Sequence, residues 1–213
     1  MTNFKYHIFD FDGVIKDSIN IKEEAFAELF KNESDEFKDY VKLYHRSNGG
    51  KSRYLKIQHY LNLLNVDYKK SDIDFYAKKF SNMVLDKVIK SDYIEGALDY
   101  LRDVSNNKKC FLITGTPEHE IKVICEKLSL TIFFEEILGS PKSKEAHIQF
   151  LFNKYGDNIN EFCFYGDSGT DLNACKLKQI KFIGINPDDS IIKFCNTEEM
   201  YLNFNKLLEN EKI

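Results

Sequence analysis

Residues 6–18 read YHIFDFDGVIKDS, and the rest of the chain is organised around this stretch. A mostly apolar run ends at Asp10, and a second carboxylate at Asp12 and then Gly13 follow it. An apolar run that ends in a turn residue predicts a buried strand, with both carboxylates at its carboxyl end. In open α/β sheets ligands bind at that end, so the pattern predicts a site there.

A turn at Gly13 allows Asp10 and Asp12 to lean over one pocket with different tasks. Two carboxylates so close do not both stay ionised without a cation, and Mg²⁺ held by oxygen ligands would resolve the conflict. In this interpretation Asp10 attacks a phosphorus atom while Asp12 moves a proton. The alternative is a pair of helix-capping residues, but a cap needs one such residue and Asp17 and Ser18 already supply it.

The composition is that of a globular chain. Of its 213 residues, 43% are hydrophobic and 14% aromatic, which is enough for a sizeable core. The formal net charge is −4, and acidic and basic residues are interspersed. We therefore expect neither nucleic acid nor a membrane surface as a partner. The sequence shows no run of about 18 apolar residues and no signal-peptide pattern, so we expect a cytoplasmic protein.

Five cysteines are scattered along the chain without a C-x-x-C pair. This spacing favours reduced, mostly buried thiols over disulfides or a zinc site. The five are Cys110, Cys125, Cys163, Cys175 and Cys195.

A long insertion follows the first strand. Residues 18–92 contain no β-rich run, and their apolar residues recur at helical spacing in four successive groups. Four helices at this place predict a small separate domain over the pocket, with the core formed by residues 1–17 and 93–213. The fold class is then α/β, and a last strand over residues 180–185 and a helical tail from about Thr197 complete it.

The loop at residues 45–53, HRSNGGKSR, is the most polar part of the insertion. Its two glycines free the backbone, and Lys51 and Arg53 offer donors at the start of the next helix, where an anion can bind. Composition alone favours a simpler interpretation, a turn between helices with solvated basic residues.

A second strand-like run, residues 109–113, ends at Thr114, Gly115 and Thr116. The hydroxyl of Thr114 and the amides around Gly115 could hold a phosphoryl oxygen, and we assign Gly115 and Thr116 to substrate binding. A threonine after a strand is, taken alone, more often a turn residue.

The segment GSPKSK, residues 139–144, offers two lysines for one role. Several carboxylates and a phosphoryl group around a single Mg²⁺ would stay net negative, so a further cation is required. Lys142 and Lys144 are the candidates, and either could instead be an ordinary surface lysine.

A third strand-like run ends at Gly166, and Asp167 and Asp171 follow it. Their spacing of four residues, on a turn and a helix start, lets both face the same point. Hard oxygen ligands there suit Mg²⁺, with Asp167 as a direct ligand and Asp171 bound directly or through water. The alternative is a structural role for two carboxylates near a helix N-terminus.

Taken in order, these segments resemble the four motifs of the haloacid dehalogenase superfamily in its phosphatase form. FDFDGVIKDS resembles the nucleophile motif with Asp at both positions, and Thr114 resembles the second motif. The lysine segment resembles the third, and GDSGTD at residues 166–171 resembles the fourth. The resemblance covers essentially the whole chain and implies a Rossmann-like core with an inserted α-helical cap over residues 18–92.

The resemblance also implies roles for single residues. Lys144 opens its helix as the motif lysine of phosphoserine-phosphatase-like members does, and we prefer it. Lys142 matches the spacing of phosphoglycolate-phosphatase-like members without their usual Lys-Pro-x-Pro, and it stays open as a substrate-binding residue. The run Gly-Lys-Ser-Arg resembles the cap loop of phosphoglycolate-phosphatase-like and β-phosphoglucomutase-like members, which makes Lys51 and Arg53 candidate specificity residues.

The implied reaction is Mg²⁺-dependent hydrolysis of a small phosphorylated metabolite, of the phosphoglycolate or sugar phosphate type, through an aspartyl phosphate on Asp10. In it Asp12 transfers the proton, and Lys144 and Thr114 stabilise the charge of the transition state. The predicted metal ligands are Asp10, Asp12, Asp167 and Asp171.

Two alternatives stay open. A phosphosugar mutase of the β-phosphoglucomutase type shares the motifs, but such members usually carry a histidine where this chain reads Asn20-Ile21-Lys22. A non-catalytic phosphometabolite-binding protein could share the fold, although the intact Asp10 and Asp12 argue against it. The sequence predicts no oligomeric state.

Overall fold

A computed structural model describes residues 4–156, 158–187 and 199–211 of the chain. Within these ranges the strands are β1 (Tyr6–Phe9), β2 (Lys109–Pro117), β3 (Glu136–Ser140), β4 (Phe162–Gly166), β5 (Lys181–Ile185) and β6 (Glu199–Tyr201). They form one six-stranded sheet in the order β3-β2-β1-β4-β5-β6. Every neighbouring pair in this sheet is parallel. The predicted α/β class with a parallel sheet is therefore confirmed.

Helices cover both faces of this sheet and fill the insertion after β1. They are α1 (Ile19–Leu29), α2 (Asp35–Ser47), α3 (Arg53–Leu63), α4 (Lys70–Lys90), α5 (Ala97–Ser105), α6 (Glu118–Lys127), α7 (Lys144–Tyr155), α8 (Gly169–Lys178) and α9 (Phe204–Glu211). None of these helices has both the length and the apolar composition that crossing a membrane requires.

The apolar run of β1 is explained by its central position. Ile8 is buried on one face of the sheet in the same core as Phe164 of β4. Its neighbour Phe9 is buried on the other face, where its ring stacks on Tyr165 at 4.6 Å. A strand covered on both faces contains apolar residues at successive positions rather than at alternating ones.

The insertion has an apolar centre built from aromatic rings. Phe26 of α1 lies 4.1 Å from Phe80 of α4 and 5.9 Å from Tyr60 of α3, measured between ring centroids. Helix α1 packs on α2 and α4, and α3 packs on α4. The four predicted helices are thus present, and the division of the chain into a core and a cap at residues 18 and 92 stays a prediction.

The C-terminal part differs from the prediction. Residues 180–185 do contain a strand, β5, but it is not the last one, because β6 pairs with it in parallel and extends the sheet. The described tail helix begins only at Phe204, and Thr197 lies outside the described residues. A three-residue strand is too short to produce the alternating pattern by which strands are recognised.

The cysteines of the described ranges are small buried side chains. Cys110, Cys125, Cys163 and Cys175 are all buried. Burial raises the pKa of the thiols of Cys110 and Cys125 to about 12, which disfavours the reactive thiolate. Cys195 lies outside the described residues.

Candidate active site

The candidate site lies at the carboxyl ends of β1, β2 and β4. Because β1 lies between the other two strands, the residues that end or follow these strands meet at one edge of the sheet. Asp10 follows β1, Thr114 lies in the last part of β2, and Asp167 follows β4. All three side chains are buried. The structure brings these predicted residues together at one edge of the sheet, and their role as a site stays a prediction.

The carboxylate of Asp10 is held by two donors. One oxygen accepts a hydrogen bond of 2.7 Å from the backbone amide of Phe11, and the other lies 2.8 Å from the Lys144 ammonium. Burial raises the pKa of this carboxyl, and Lys144 opposes the rise. The nearby carboxylates of Asp171 and Asp12 raise it further, so the pKa lies well above the usual range of an aspartate.

Three carboxylates converge on one point. One oxygen from each of Asp10, Asp167 and Asp171 lies within 4.8 Å of the others, and all three residues are buried. Lys144 contacts both Asp10 and Asp171. The three charges exceed that of Lys144 by two, which is the charge of a divalent cation, and carboxylate oxygens are the ligands that Mg²⁺ prefers. These residues therefore fit a divalent cation.

Gly13 leaves room for the carboxylate of Asp167 at the point where the three carboxylates converge. Its φ is +81°, and a Cβ on it would lie 2.5 Å from a carboxylate oxygen of Asp167. Any other residue there would be strained and would displace that carboxylate. The turn that the sequence predicts after Asp12 is thus required both by the backbone and by the site.

Asp12 has different surroundings from Asp10. Its carboxylate accepts hydrogen bonds of 2.5 Å from Lys22, 2.6 Å from the Ser18 hydroxyl and 3.3 Å from the Thr116 hydroxyl. Burial by itself raises the pKa of Asp12, but Lys22 and Ser18 outweigh it and hold the pKa below the usual value. Of the four predicted metal ligands, Asp12 is the one whose carboxylate lies outside the group of three.

The expectation that Asp17 and Ser18 supply a helix cap is wrong, because no side chain of the described residues caps α1. Ser18 is the residue that precedes α1, but its hydroxyl makes no capping hydrogen bond. It donates to Asp12 instead, so this serine belongs to the site. Lys22, one helical turn later, joins it on the same face of α1.

The last part of β2 contacts the insertion closely. The Thr114 hydroxyl accepts a 3.2 Å hydrogen bond from the amide of Thr116, whose own hydroxyl accepts one of 2.8 Å from Lys22. A Cβ on Gly115 would lie 2.8 Å from the backbone carbonyl carbon of Gly50. A glycine at position 115 is therefore what allows the insertion to approach β2.

The structure separates the two candidate lysines. Lys144 begins α7 and is buried against Asp10 and Asp171, which raise its pKa above the usual value although burial alone would lower it. Lys142 is exposed, and it does not line the cavity described next. Of the two, Lys144 is the one that is placed to act on Asp10.

A cavity of about 440 Å³ lies between the strand ends and the insertion. Its walls include both acidic residues from the strand ends and basic residues from the helices above them. Residues that line it include Asp10, Asp12, Lys22, His45, Arg46, Lys51, Arg53, Lys56, Gly115, Thr116 and Asp167. The volume is that of a site for a small molecule.

Arg53 lines this cavity but is already paired. Its guanidinium donates to both carboxylate oxygens of Glu120 on α6, at 2.6 and 2.9 Å, and to the hydroxyl of Ser81 on α4. Arg53 and Glu120 are each about 5% exposed. The predicted role of Arg53 in substrate binding stays a prediction, and its observed role is to join the insertion to the helix that follows β2.

We expect Arg53→Met to lower the free energy of unfolding by about 3 kcal/mol, because it leaves the charge of Glu120 buried without a partner. Urea unfolding of the two proteins would measure this. The double variant Arg53→Met with Glu120→Gln leaves no buried charge and should be more stable than Arg53→Met alone. Equal stability of the single and double variants would show that the buried charge is not the cause.

Several residues of the cavity were missed by the sequence analysis. Lys22, His45 and Lys56 line the cavity, and Glu120 pairs with Arg53 beside it. None of the four was given a functional role, yet all are buried. Helical spacing could have identified His45 as a buried residue. It lies four residues after Val41, which is fully buried, and residues at that distance share one face of a helix.

Comparisons with known proteins agree with this fold. The sequence model of the haloacid dehalogenase-like hydrolase family matches residues 7–185. No curated protein matches the sequence significantly.

Similar solved structures cover nearly the whole chain. A predicted phosphoglycolate phosphatase from Haemophilus somnus has 16% identity and a TM-score of 0.75 over 99% of both chains. YfnB of Bacillus subtilis, a candidate hydrolase of the haloacid dehalogenase type solved with magnesium, has 18% identity and a TM-score of 0.71 over 99% of both chains. A candidate β-phosphoglucomutase from Bacteroides vulgatus has 16% identity and a TM-score of 0.78 over 99% of this chain and 88% of its own.

At these identities the solved structures show a shared fold, and the family itself is shown by the sequence match over most of the chain. The match runs from His7 in β1 to the end of β5 and includes Asp10, Asp12, Lys144 and Asp167. The chain belongs to the haloacid dehalogenase-like hydrolase family.

Proposed function

We propose that this chain is a Mg²⁺-dependent phosphatase that hydrolyses a small phosphorylated metabolite, of the phosphoglycolate or sugar phosphate type, through an aspartyl phosphate on Asp10. The observation that supports this best is the position of the Asp10 carboxylate. It lies at the base of a cavity, between Lys144 and the carboxylates of Asp167 and Asp171. Such a group can attack an electrophile that the cavity holds in place.

In the first step an Asp10 oxygen forms a bond to phosphorus while the bond between phosphorus and the leaving oxygen breaks. Asp12 gives its proton to that leaving oxygen. In the second step Asp12 takes a proton from water, the water oxygen bonds to phosphorus, and the bond from phosphorus to Asp10 breaks. Lys22 favours the ionised form of Asp12, which is the form that the second step needs. The proton that Asp12 takes from water in that step is the one it gives to the leaving oxygen in the next turnover.

Lys144 and Thr114 hold charge during both steps. The Lys144 ammonium lies between Asp10 and Asp171 and is kept protonated by them. It can therefore offset the negative charge on the phosphoryl oxygens. The Thr114 hydroxyl and the amides around Gly115 lie at the end of β2, beside the cavity, and can donate to the same oxygens.

Asp10, Asp167 and Asp171 would hold the Mg²⁺ ion. When bound, the ion supplies positive charge that keeps Asp10 ionised and offsets the charge of the phosphoryl group. The convergence of these three buried carboxylates supports this proposal, because a cation bound there would offset their charge. The magnesium in the YfnB structure supports it as well.

The proposal is tested by phosphate release from a panel of small phosphate monoesters, including phosphoglycolate and hexose phosphates. We expect release with Mg²⁺ and a fall to background with excess chelator, which added Mg²⁺ reverses. The control is the same chelator already saturated with Mg²⁺, which should have no effect. Release that is equally fast with chelator would contradict the metal requirement, and no release from any ester would contradict the proposed function.

A further inference from the structure

The cations that line the cavity fall into two groups. Lys22 lies 2.5 Å from Asp12, Arg46 contacts Glu23, and Arg53 lies 2.6 Å from Glu120. Each of these is neutralised by a carboxylate. Lys51 and Lys56 also line the cavity, and neither has a carboxylate within ion-pair distance in the part of the chain that the structure describes.

Lys56 is the more deeply buried of the two, with only 2% of its surface exposed. Its ammonium donates to the Nδ1 atom of His45 at 2.9 Å and to the backbone oxygen of His45 at 3.4 Å. An ammonium has three hydrogens, so one remains without an acceptor among the described residues. Burial lowers the pKa of Lys56 to about 7. The charge of Lys22 contributes to this shift, and the more distant carboxylates of Asp12 and Asp167 oppose it.

His45 adds a second donor at the same place. It is 7% exposed, and burial together with the charge of Lys56 holds its pKa well below the usual value, so the ring is neutral. When Lys56 is protonated, its ammonium can only donate, so Nδ1 accepts and the ring proton lies on Nε2. That nitrogen has no hydrogen-bond partner in the described ranges.

Lys51 lies close to this pair. Its ammonium bonds only to neutral oxygens, the Tyr44 hydroxyl at 3.2 Å and the side-chain oxygen of Asn48 at 3.3 Å. Its charge is near enough to lower the pKa of Lys56. Two cations and a neutral donor on one wall therefore have no carboxylate at ion-pair distance among the described residues, and Asp12 and Asp167 act on Lys56 only from farther away.

We propose that Lys56, His45 and Lys51 form a second anion-binding subsite in the cavity, which selects phosphate monoesters that carry a further carboxylate or phosphate group. This inference rests on the proposed function, since the reacting phosphoryl group occupies the other end of the cavity at Asp10. The second anion accepts hydrogen bonds from Lys56 and from Nε2 of His45 and offsets the buried charge. An uncharged sugar hydroxyl leaves that charge without a partner.

The test compares three probes that differ at one end. They are 2-phosphoglycolate, with a carboxylate, ethane-1,2-diyl bisphosphate, with a second phosphate, and 2-hydroxyethyl phosphate, with a neutral hydroxyl. Binding with Mg²⁺ present is measured by calorimetry on Asp10→Asn, which should bind these esters without turning them over. Phosphate release is measured separately on the wild type.

We expect at least one anionic probe to bind about 10- to 100-fold more tightly than the neutral probe, as for a hydrogen bond to a charged group. Adding Lys56→Met should remove most of this ratio. The matched control is Lys79→Met, which changes an exposed lysine of α4 and should leave the ratio intact. Lys51→Met should lower the ratio by a smaller factor, and it serves as the test if Lys56→Met does not fold.

The outcomes separate the two proposals. Equal binding of the three probes, or a ratio that survives Lys56→Met and Lys51→Met, overturns the subsite. A ratio that is lost in Lys56→Met, with no phosphate release by the wild type from these probes or from any ester of the panel, supports the subsite and contradicts the phosphatase. The more tightly bound anionic probe identifies the second group as a carboxylate or a phosphate.

Discussion

Asp10→Asn is expected to reduce phosphate release by about 10⁴-fold or more, because the amide cannot form the bond to phosphorus. Phosphate release under saturating substrate and Mg²⁺ measures the effect. The fold should survive, since the raised pKa of Asp10 means that its ionised form is unfavourable in the folded state. The free energy of unfolding should therefore not fall.

The matched control for this variant is Asp39→Asn, which makes the same chemical change at an exposed position of α2. It should leave both phosphate release and unfolding unchanged. If Asp10→Asn kept the wild-type rate, Asp10 would not be the nucleophile. If it unfolded the protein, the loss of activity would carry no information about the reaction.

Asp12→Asn is expected to give the second largest loss, about 10²- to 10⁴-fold in steady-state turnover, as for removal of a proton-transfer group. The two steps should differ when the substrate is p-nitrophenyl phosphate. Nitrophenolate leaves without needing a proton, so its release in the first turnover should stay fast. The second step still needs Asp12 to accept a proton from water, so the enzyme should stall after one equivalent.

Rapid-mixing absorbance measurements would show this burst of nitrophenolate and the stall. An alkyl phosphate provides the comparison, because its leaving oxygen needs the proton and both steps should then slow down. Wild-type turnover of both esters in Asp12→Asn would remove Asp12 from the mechanism. Loss of the burst itself would assign Asp12 to binding rather than to proton transfer.

The position of the candidate site residues could be predicted from the sequence because it depends on local patterns. The apolar run of β1, the turn at Gly13 and the motif around Asp167 each occupy a few neighbouring residues. Parallel strands then bring their carboxyl ends together, so that Asp10 and Asp167 meet although they are far apart in the chain. This meeting of Asp10 and Asp167 could therefore be predicted without knowing any individual contact between distant side chains.

The choice between Lys142 and Lys144 could not be made from local patterns alone. Both lie in one polar segment, and only the start of α7 decides which of them turns inward. In the structure Lys144 is buried against Asp10, and Lys142 is exposed. Burial of a lysine is determined by its partners, and those of Lys144 are Asp10 at the end of β1 and Asp171 in α8.

The charge partners across the cavity could not be predicted from local patterns. Arg53 and Glu120 are separated by 67 residues, and no spacing rule links them. For this reason Arg53 resembled a substrate-binding residue in the sequence, whereas the structure pairs it with a carboxylate. Lys56 has no carboxylate at ion-pair distance among the described residues. Its position in an ordinary helical pattern did not indicate a role.

The most direct test of the central claim is to trap the aspartyl phosphate. The wild type is mixed with Mg²⁺ and a substrate from the panel, quenched in acid and reduced with borohydride, which converts an aspartyl phosphate to homoserine. Tandem mass spectrometry of the peptide that contains residues 6–18 then locates the modified position, with Asp10→Asn and a sample without substrate as controls. We predict substrate-dependent homoserine at position 10 in the wild type alone. Phosphate release without any modified aspartate, or modification at Asp12 instead, would contradict the mechanism.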